Sequence, residues 1–348
     1  MEKRYGSFRT GFLKFLHMVK TEYTEGEKLP SADAVCKRLK ISRNTYSKIL
    51  KEAHGHAHII REPGRAVFVR TPSLKVGLYL GRGEYSPMIK QPLLLSRIIT
   101  MLDEMKIPVH LITQPDPEKL PEELLVKNVS LLLAFDWDSH DKPGVEIVFR
   151  NTFQESGVPI LILEQFPLEN PGLPGVSIIR NNQEFAAREI AQLMRTRGLR
   201  KILTTHLFFS WPRNFPEQKE YEVSILPQNR KLMEKPDSFL FFLRRKKPDL
   251  LLVGGGVQTC LSAFTAVRKL SVKNRPAILC AKNCDTTSVF FEREAKGVNL
   301  LGTFCFDTEI YAETVVDMIV SHLQKKRSLQ DFSVNNFQID LMCPPSSK

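Results

Sequence analysis

Arg43, Asn44, Thr45, Ser47 and Lys48 crowd a guanidinium, an amide, two hydroxyls and an ammonium into six positions. A guanidinium fork matches guanine, an amide matches adenine, and hydroxyls and cations hold phosphate oxygens. The elements that would present them follow from the flanking residues. Ser42 is a helix-capping residue type, and a helix opened by it keeps Ile49 and Leu50 for a core while turning Arg43, Asn44, Thr45, Ser47 and Lys48 mostly outward. Upstream, Ser31 caps a shorter helix with Ala34, Val35 and Leu39 on its apolar face, closed by Ile41 after a tight turn. Downstream the period changes to two over Ile59-Ile60-Arg61-Glu62. A Pro63-Gly64 turn and the strand-like run Val67-Phe68-Val69 follow. Residues 7–21 add a third helix with Phe8, Phe12, Phe15, Leu16 and Val19 on one stripe. The pattern predicts an N-terminal winged helix-turn-helix over residues 1–70, with Arg65 near the wing tip.

Charge falls on the same stretch. The chain has 348 residues and a net charge of +12, and residues 1–70 hold fifteen Lys and Arg against seven Asp and Glu. That is +8 on a fifth of the chain, the footprint expected for phosphate binding.

The stretch resembles the DNA-binding domain of GntR-type transcription regulators. The resemblance rests on Leu29-Pro30-Ser31, on Ile41-Ser42-Arg43-x-Thr45, and on Pro63-Gly64-Arg65-x-x-Phe68-Val69, in the family's order and spacing. It implies that Arg43, Asn44 and Thr45 read bases. Lys28, Ser31, Ser47, Lys48 and Arg65 would hold phosphates or the minor-groove edge, with Ser42 and Gly64 in the same motifs. Three departures stand out: Asp33 replaces the family's usual arginine, and Ala57 and Ala66 replace glycines. Asp33 removes an expected contact and adds a repulsive charge, so the operator differs from the family's commonest one. A winged helix used only for protein contacts is the alternative.

Residues 71–75 carry Pro and Ser and mark a linker. Beyond them strands alternate with helices. Strands are expected over 76–80, 109–112, 130–135, 159–163, 201–205, 249–253 and 277–280. Helices are expected over 91–105, 121–127, 147–155, 182–197, 237–245, 259–270 and 308–324. Repeated twice, this predicts a two-lobed, doubly wound α/β body over residues 76–348. The body resembles the effector domain of LacI/GalR-type regulators, which are similar to periplasmic sugar-binding proteins. The matching pieces are Gly157-Val158-Pro159-Ile160-Leu161, Arg180-Asn181-Asn182, Arg197-Gly198-Leu199-Arg200-Lys201-Ile202 and Lys247-Pro248-Asp249-Leu250.

That resemblance implies a small-molecule pocket, sugar-like in chemistry, in which carboxylates, amides and arginines hold hydroxyls and an aromatic face lies on the ring. Candidates are Glu84, Trp137, Asp138, Glu164, Arg180, Asn181, Arg213 and Asn283. Gly255-Gly256 stands where the family often has Asn-Asp, which leaves room for a larger ligand or marks a binding site that has been lost.

Gly254-Gly255-Gly256 follows a strand and precedes a helix, but no Lys-Ser/Thr follows at phosphate-loop spacing and the dinucleotide fingerprint fails at Thr259. No nucleophile elbow, His-Glu-x-x-His or kinase set is present. The sequence therefore reads as a non-enzyme without a cofactor. Its six cysteines (36, 260, 280, 284, 305 and 343) lack disulfide spacing and are expected to be reduced. Cys280-x-x-x-Cys284 lacks a second pair for zinc. His54, His56 and His58 invite a metal or, as protonatable loop side chains, DNA. No apolar run approaches the ~20 residues of a membrane span, and no apolar signal core follows the first charges, so a cytoplasmic protein is expected.

Together these features predict a homodimeric, sequence-specific DNA-binding transcription regulator, a repressor controlled by a sugar-like effector. Two alternatives remain: a regulator whose body dimerises but binds no sugar, and an α/β enzyme with a DNA-binding control domain.

Overall fold

Serine at positions 31 and 42 does what its short acceptor side chain favours. Ser31 Oγ accepts the Ala34 N–H at 3.3 Å and opens α2 (Ala32–Leu39), and Ser42 Oγ accepts the Thr45 N–H at 3.1 Å and opens α3 (Arg43–Gly55). Between them Lys40 turns the chain in the left-handed region, φ 55°, its N–H donating to the Cys36 carbonyl. The first helix is α1 (Glu2–Glu22).

After α3, β1 (Ile59–Arg61) pairs antiparallel with β2 (Val67–Val69), Ile59 opposite Val69. The segment before α2 extends this hairpin. Leu29 N–H donates to the Val67 carbonyl at 2.9 Å and Val69 N–H to the Glu27 carbonyl at 2.8 Å. Phe12, Phe15, Leu16 and Val19 of α1 pack on Val35, Tyr46, Ile49, Leu50, Ile59 and Val69, the faces that periodicity assigns to α1 and α3. On α2, Val35 and Leu39 turn inward as expected, but Cys36 is buried and Ala34 is exposed. Gly11 brings α1 close to the turn: a Cβ there would stand 3.0 Å from Ile41 Cγ2 and 3.3 Å from Ile49 Cδ1.

The computed structural model describes residues 2–61, 66–70, 74–80, 92–113, 118–135, 144–164, 172–205, 221–226, 235–254, 256–282 and 288–342. From residue 76 the elements are β3 (Val76–Tyr79), α4 (Pro92–Glu104), β4 (Val109–Ile112), α5 (Leu120–Val126), β5 (Leu131–Phe135), α6 (Gly144–Ser156), β6 (Ile160–Glu164) and β7 (Val176–Asn181). There follow α7 (Gln183–Thr196), β8 (Lys201–Thr204), β9 (Glu222–Ile225), α8 (Pro236–Lys246), β10 (Leu250–Val253), α9 (Val257–Arg268) and β11 (Ala277–Ala281). The last are α10 (Ser288–Glu294), β12 (Asn299–Phe306), α11 (Thr308–Leu323), β13 (Phe332–Val334) and β14 (Phe337–Leu341).

They form two six-stranded sheets, ordered β13-β7-β6-β5-β3-β4 and β14-β12-β11-β10-β8-β9. Strands β3 to β7 are mutually parallel, as are β8 to β12, and β14 joins the second sheet antiparallel to β12. The expected pair of doubly wound α/β lobes is what the chain builds. In the second sheet Leu250 and Leu252 face Ala186, Ile190 and Met194 of α7, whereas Leu251 and Val253 face Phe239 and Leu243 of α8 and Phe264 and Val267 of α9. Covering both faces is why these strands read as unbroken apolar runs. The chain divides into two compact units, Met1–Arg180 with Ala312–Phe332, and Asn181–Tyr311 with Ser333–Lys348.

Strands β7, β9, β12, β13 and β14 and helix α10 are additional to the sequence expectation. Edge strand β9 is a four-residue, half-exposed stretch without an apolar run. In β12 the apolar pattern is broken by Gly302, where a Cβ would lie 2.3 Å from the Asp340 carbonyl oxygen of β14. The close backbone approach demands glycine there.

Candidate nucleic-acid interface

The helix pair α2–α3 sets the geometry. Along α3, Tyr46, Ile49, Leu50 and Ala53 are buried, which turns Arg43, Asn44, Ser47 and Lys48 to solvent and leaves Thr45 half-buried. Ser42 and Thr45 hydroxyls lie 2.9 Å apart, so each engages the other beside the cap. Lys28 is exposed and bridges Phe68 across the hairpin, while Ser31 is exposed at the α2 cap. Tyr46 stands edge-on to Phe15, ring centroids 6.0 Å apart, and burial pushes its phenol up to about 12. This contact fixes the rotation of α3 on α1.

Beside the cap lies a groove of about 530 Å³, lined by Thr10, Gly11 and Lys14 of α1, by Leu39, Lys40 and Ile41 of the turn, and by Ser42 and Thr45. Thr10, Lys14 and Lys40 are not among the contact residues that the sequence motifs single out. Lys14 and Lys40 are legible in sequence only as cations, exposed on α1 and at the turn, and Thr10 carries no comparable signal.

By sequence Asp33 removes an expected contact and adds a repulsive charge. Its carboxylate instead grips Arg43: Nε donates to Oδ1 at 2.7 Å and Nη2 to Oδ2 at 2.5 Å. This hydrogen-bonded pairing raises the guanidinium pKa further above its ordinary value.

The three histidines have different environments, although the His56 and His58 rings lie edge-on, centroids 6.4 Å apart. His54 Nδ1 lies 3.2 Å from the Ile59 carbonyl, and His56 Nε2 lies 3.4 Å from Glu52 Oε1. His58 corrects the expectation of protonatable or DNA-facing loop side chains. It is 7% exposed, its Nε2 is buried without a hydrogen-bond partner among the described residues, and burial together with His56 and Lys20 lowers its pKa to about 4. It is a neutral core histidine. Among the described residues no group of three or more His, Cys, Asp and Glu is placed to hold a metal ion. Cys280 is fully buried beside Cys260, and burial pushes its thiol well up. Cys284, its sequence partner in the zinc consideration, lies outside the described residues.

The three-helix segment also seats on the first lobe. Leu125 of α5 enters its core. Arg9 pairs with Glu122, Asn128 Nδ2 donates to the His56 carbonyl at 2.6 Å, and Lys20 Nζ donates to the Val129 carbonyl. Desolvation of its ammonium at this contact lowers the pKa of Lys20 to about 8.

Of the effector candidates, Glu164 and Arg180 are register partners at the carboxyl ends of neighbouring parallel strands β6 and β7. That is the end at which open α/β sheets hold ligands. Arg180 is half-buried, and Asn181 is buried at the last position of β7. The adjacent Asn182 caps α7, accepting the Phe185 N–H at 3.0 Å, and donates to Asn335 Oδ1 at 2.7 Å. The Glu164 side chain and residues Gly64, Arg65, Glu84, Trp137, Asp138, Arg213 and Asn283 lie outside the described residues. No helix among the described residues is long and apolar enough to cross a membrane.

No protein-family model and no curated protein matches this chain. Solved structures do. A LacI family transcriptional regulator from Bifidobacterium animalis subsp. lactis superposes with a TM-score of 0.53 at 14% identity, over 77% of this chain and 96% of that one. The Lac repressor dimer bound to operator and the anti-inducer ONPF gives 0.52 at 15%, over 78% and 93%. GanP, a glucose-galactose binding protein from Geobacillus stearothermophilus, gives 0.51 at 11%, over 78% and 98%. At these identities the likeness is one of fold: two parallel-sheet α/β lobes of the kind found in LacI-type regulators and periplasmic binding proteins.

Proposed function

We propose that this chain is a sequence-specific DNA-binding transcription regulator, a repressor whose DNA affinity is set by a small, sugar-like effector. The supporting observation is the face of α3. Its buried side anchors on α1, while Arg43, Asn44, Ser47 and Lys48 face solvent from a capped helix beside a hairpin. Residues 1–70 then act as a GntR-type winged helix-turn-helix head, residues 71–75 as a linker, and residues 76–348 as a LacI-like effector and dimerisation body. Head and body together resemble the bacterial arabinose repressor. The fold neighbours favour a regulator over an enzyme, since two are transcription regulators and one is a sugar-binding protein. A cytoplasmic homodimer would set two α3 helices in successive major grooves, about 34 Å apart on a near-palindromic operator.

In this scheme Arg43, Asn44 and Thr45 read base edges. Lys28, Ser31, Ser47, Lys48 and Arg65 hold phosphates or the minor-groove edge, and Ser42 and Gly64 complete the DNA-contacting set. The effector pocket draws on Glu84, Trp137, Asp138, Glu164, Arg180, Asn181, Arg213 and Asn283, with carboxylates and amides matched to hydroxyls.

Fluorescence anisotropy on DNA from upstream of the protein's own gene tests this, with and without a pool of pentoses, hexoses and their phosphates. Arg43→Ala should cost about 1–3 kcal/mol on operator and relax one base position, whereas Lys48→Ala should weaken operator and random DNA alike. Equal losses on both DNAs for Arg43→Ala would remove α3 as the reading helix. Operator binding indifferent to every pooled sugar would remove the sugar effector.

A further inference from the structure

The side chain that grips Arg43 has no role in the scheme above. Asp33 sits in the first turn of α2, and its two oxygens take Nε–H and one Nη2–H of Arg43 at 2.7 and 2.5 Å. Both side chains are exposed, 74% for Arg43 and 67% for Asp33. A pair so wet adds little to stability. Its consequence is directional.

A guanidinium has five N–H donors in one plane. Side-on pairing through Nε and Nη2 leaves the other edge, Nη1 with the outer Nη2–H, pointing away from the carboxylate. That end-on edge is the fork that meets O6 and N7 of guanine. Pairing also cancels most of the charge of Arg43, so the side chain loses attraction for phosphates at large while keeping its directional donors.

Resting on the reading of α3 as the recognition helix, we propose that Asp33 is a specificity-determining positioning residue. It biases the Arg43 guanidinium to present its end-on edge away from the carboxylate, so that Arg43 favours a single guanine over the backbone. Arginine at position 33 would add phosphate attraction. Aspartate trades that affinity for discrimination.

The test is a competition assay of the full chain against an operator library randomised one position at a time, with Asp33→Ala, Arg43→Ala and Glu25→Ala. Glu25 is an exposed carboxylate on the loop before α2 and serves as the charge control. Asp33→Ala should tighten random DNA severalfold and reduce guanine preference at one position by about tenfold, the position that Arg43→Ala also relaxes. Glu25→Ala should tighten random and operator DNA alike and leave the preference intact. If Asp33→Ala tightens both DNAs equally with preference unchanged, as Glu25→Ala does, Asp33 acts only as a charge and the proposal fails. If Arg43→Ala itself leaves every base preference unchanged, it is α3 as the reading element that fails, and the two failures are thus distinguished.

Discussion

Lys40 and Lys247 hold the same left-handed backbone at the ends of their helices, φ 55° and 44°. Each donates its N–H back to a helix carbonyl, Cys36 and Leu243 respectively. Glycine is the residue this geometry favours, because a Cβ crowds the following carbonyl. Lys247 carries the further constraint of the proline after it. Lys247→Gly should stabilise the chain by about 0.5–1 kcal/mol, the relief of strain being partly offset by a floppier unfolded chain. Lys40→Gly should stabilise similarly but weaken binding to any DNA, because Lys40 lines the groove beside the α3 cap. Denaturant midpoints and anisotropy on random DNA measure the two effects. A loss of DNA affinity in Lys247→Gly, or none in Lys40→Gly, would mean that the groove cation has no part in holding phosphate.

Elements were legible where one residue type had one physical use. Ser31 and Ser42 cap, the α1 stripe is buried, and the leucine runs of β5 and β10 are strands covered on both faces. What escaped depended on partners distant in sequence. The break at Gly302 makes sense only once β14 lies against it, and Asp33 looks like a defect until Arg43 folds onto it. His58 is the same case. Polar in sequence and expected in a loop, it is packed into the seam with α5, near the Val126 backbone, and held neutral. Its folded pKa of about 4 lies below the ordinary 6.5, so the unfolded chain takes up a proton that the fold refuses. The stability conferred by neutral His58 is therefore complete above pH 6.5. It is lost as pH falls from 6.5 toward 4, by about 3 kcal/mol in all. His58→Leu should flatten the urea midpoint against pH over that window. An unchanged acid limb would show that His58 is not the group responsible.

At the scale of the whole molecule, the proposed function assigns charge and ligand control to different parts of the chain. Residues 1–70 hold +8 of the net +12, and the other +4 is spread over 278 residues. Affinity for operator should therefore fall steeply with salt, as counterions released from phosphates are restored. A sugar-like effector bound to the body, away from the basic head, should change how the heads are presented and leave their charge untouched. The factor by which it weakens operator binding should then be the same at about 50 and 200 mM salt, although both affinities drop between them. Linkage adds a second constraint. Operator must weaken effector binding by the same factor, provided one folded species binds both. Anisotropy with and without effector gives one factor, and calorimetry on free and operator-bound protein gives the other. Equal factors, constant across salt, fit an effector that acts through the geometry of an intact dimer. A factor that shrinks with salt would place the effector's action at the charged head itself, and unequal factors would mean that it splits the dimer.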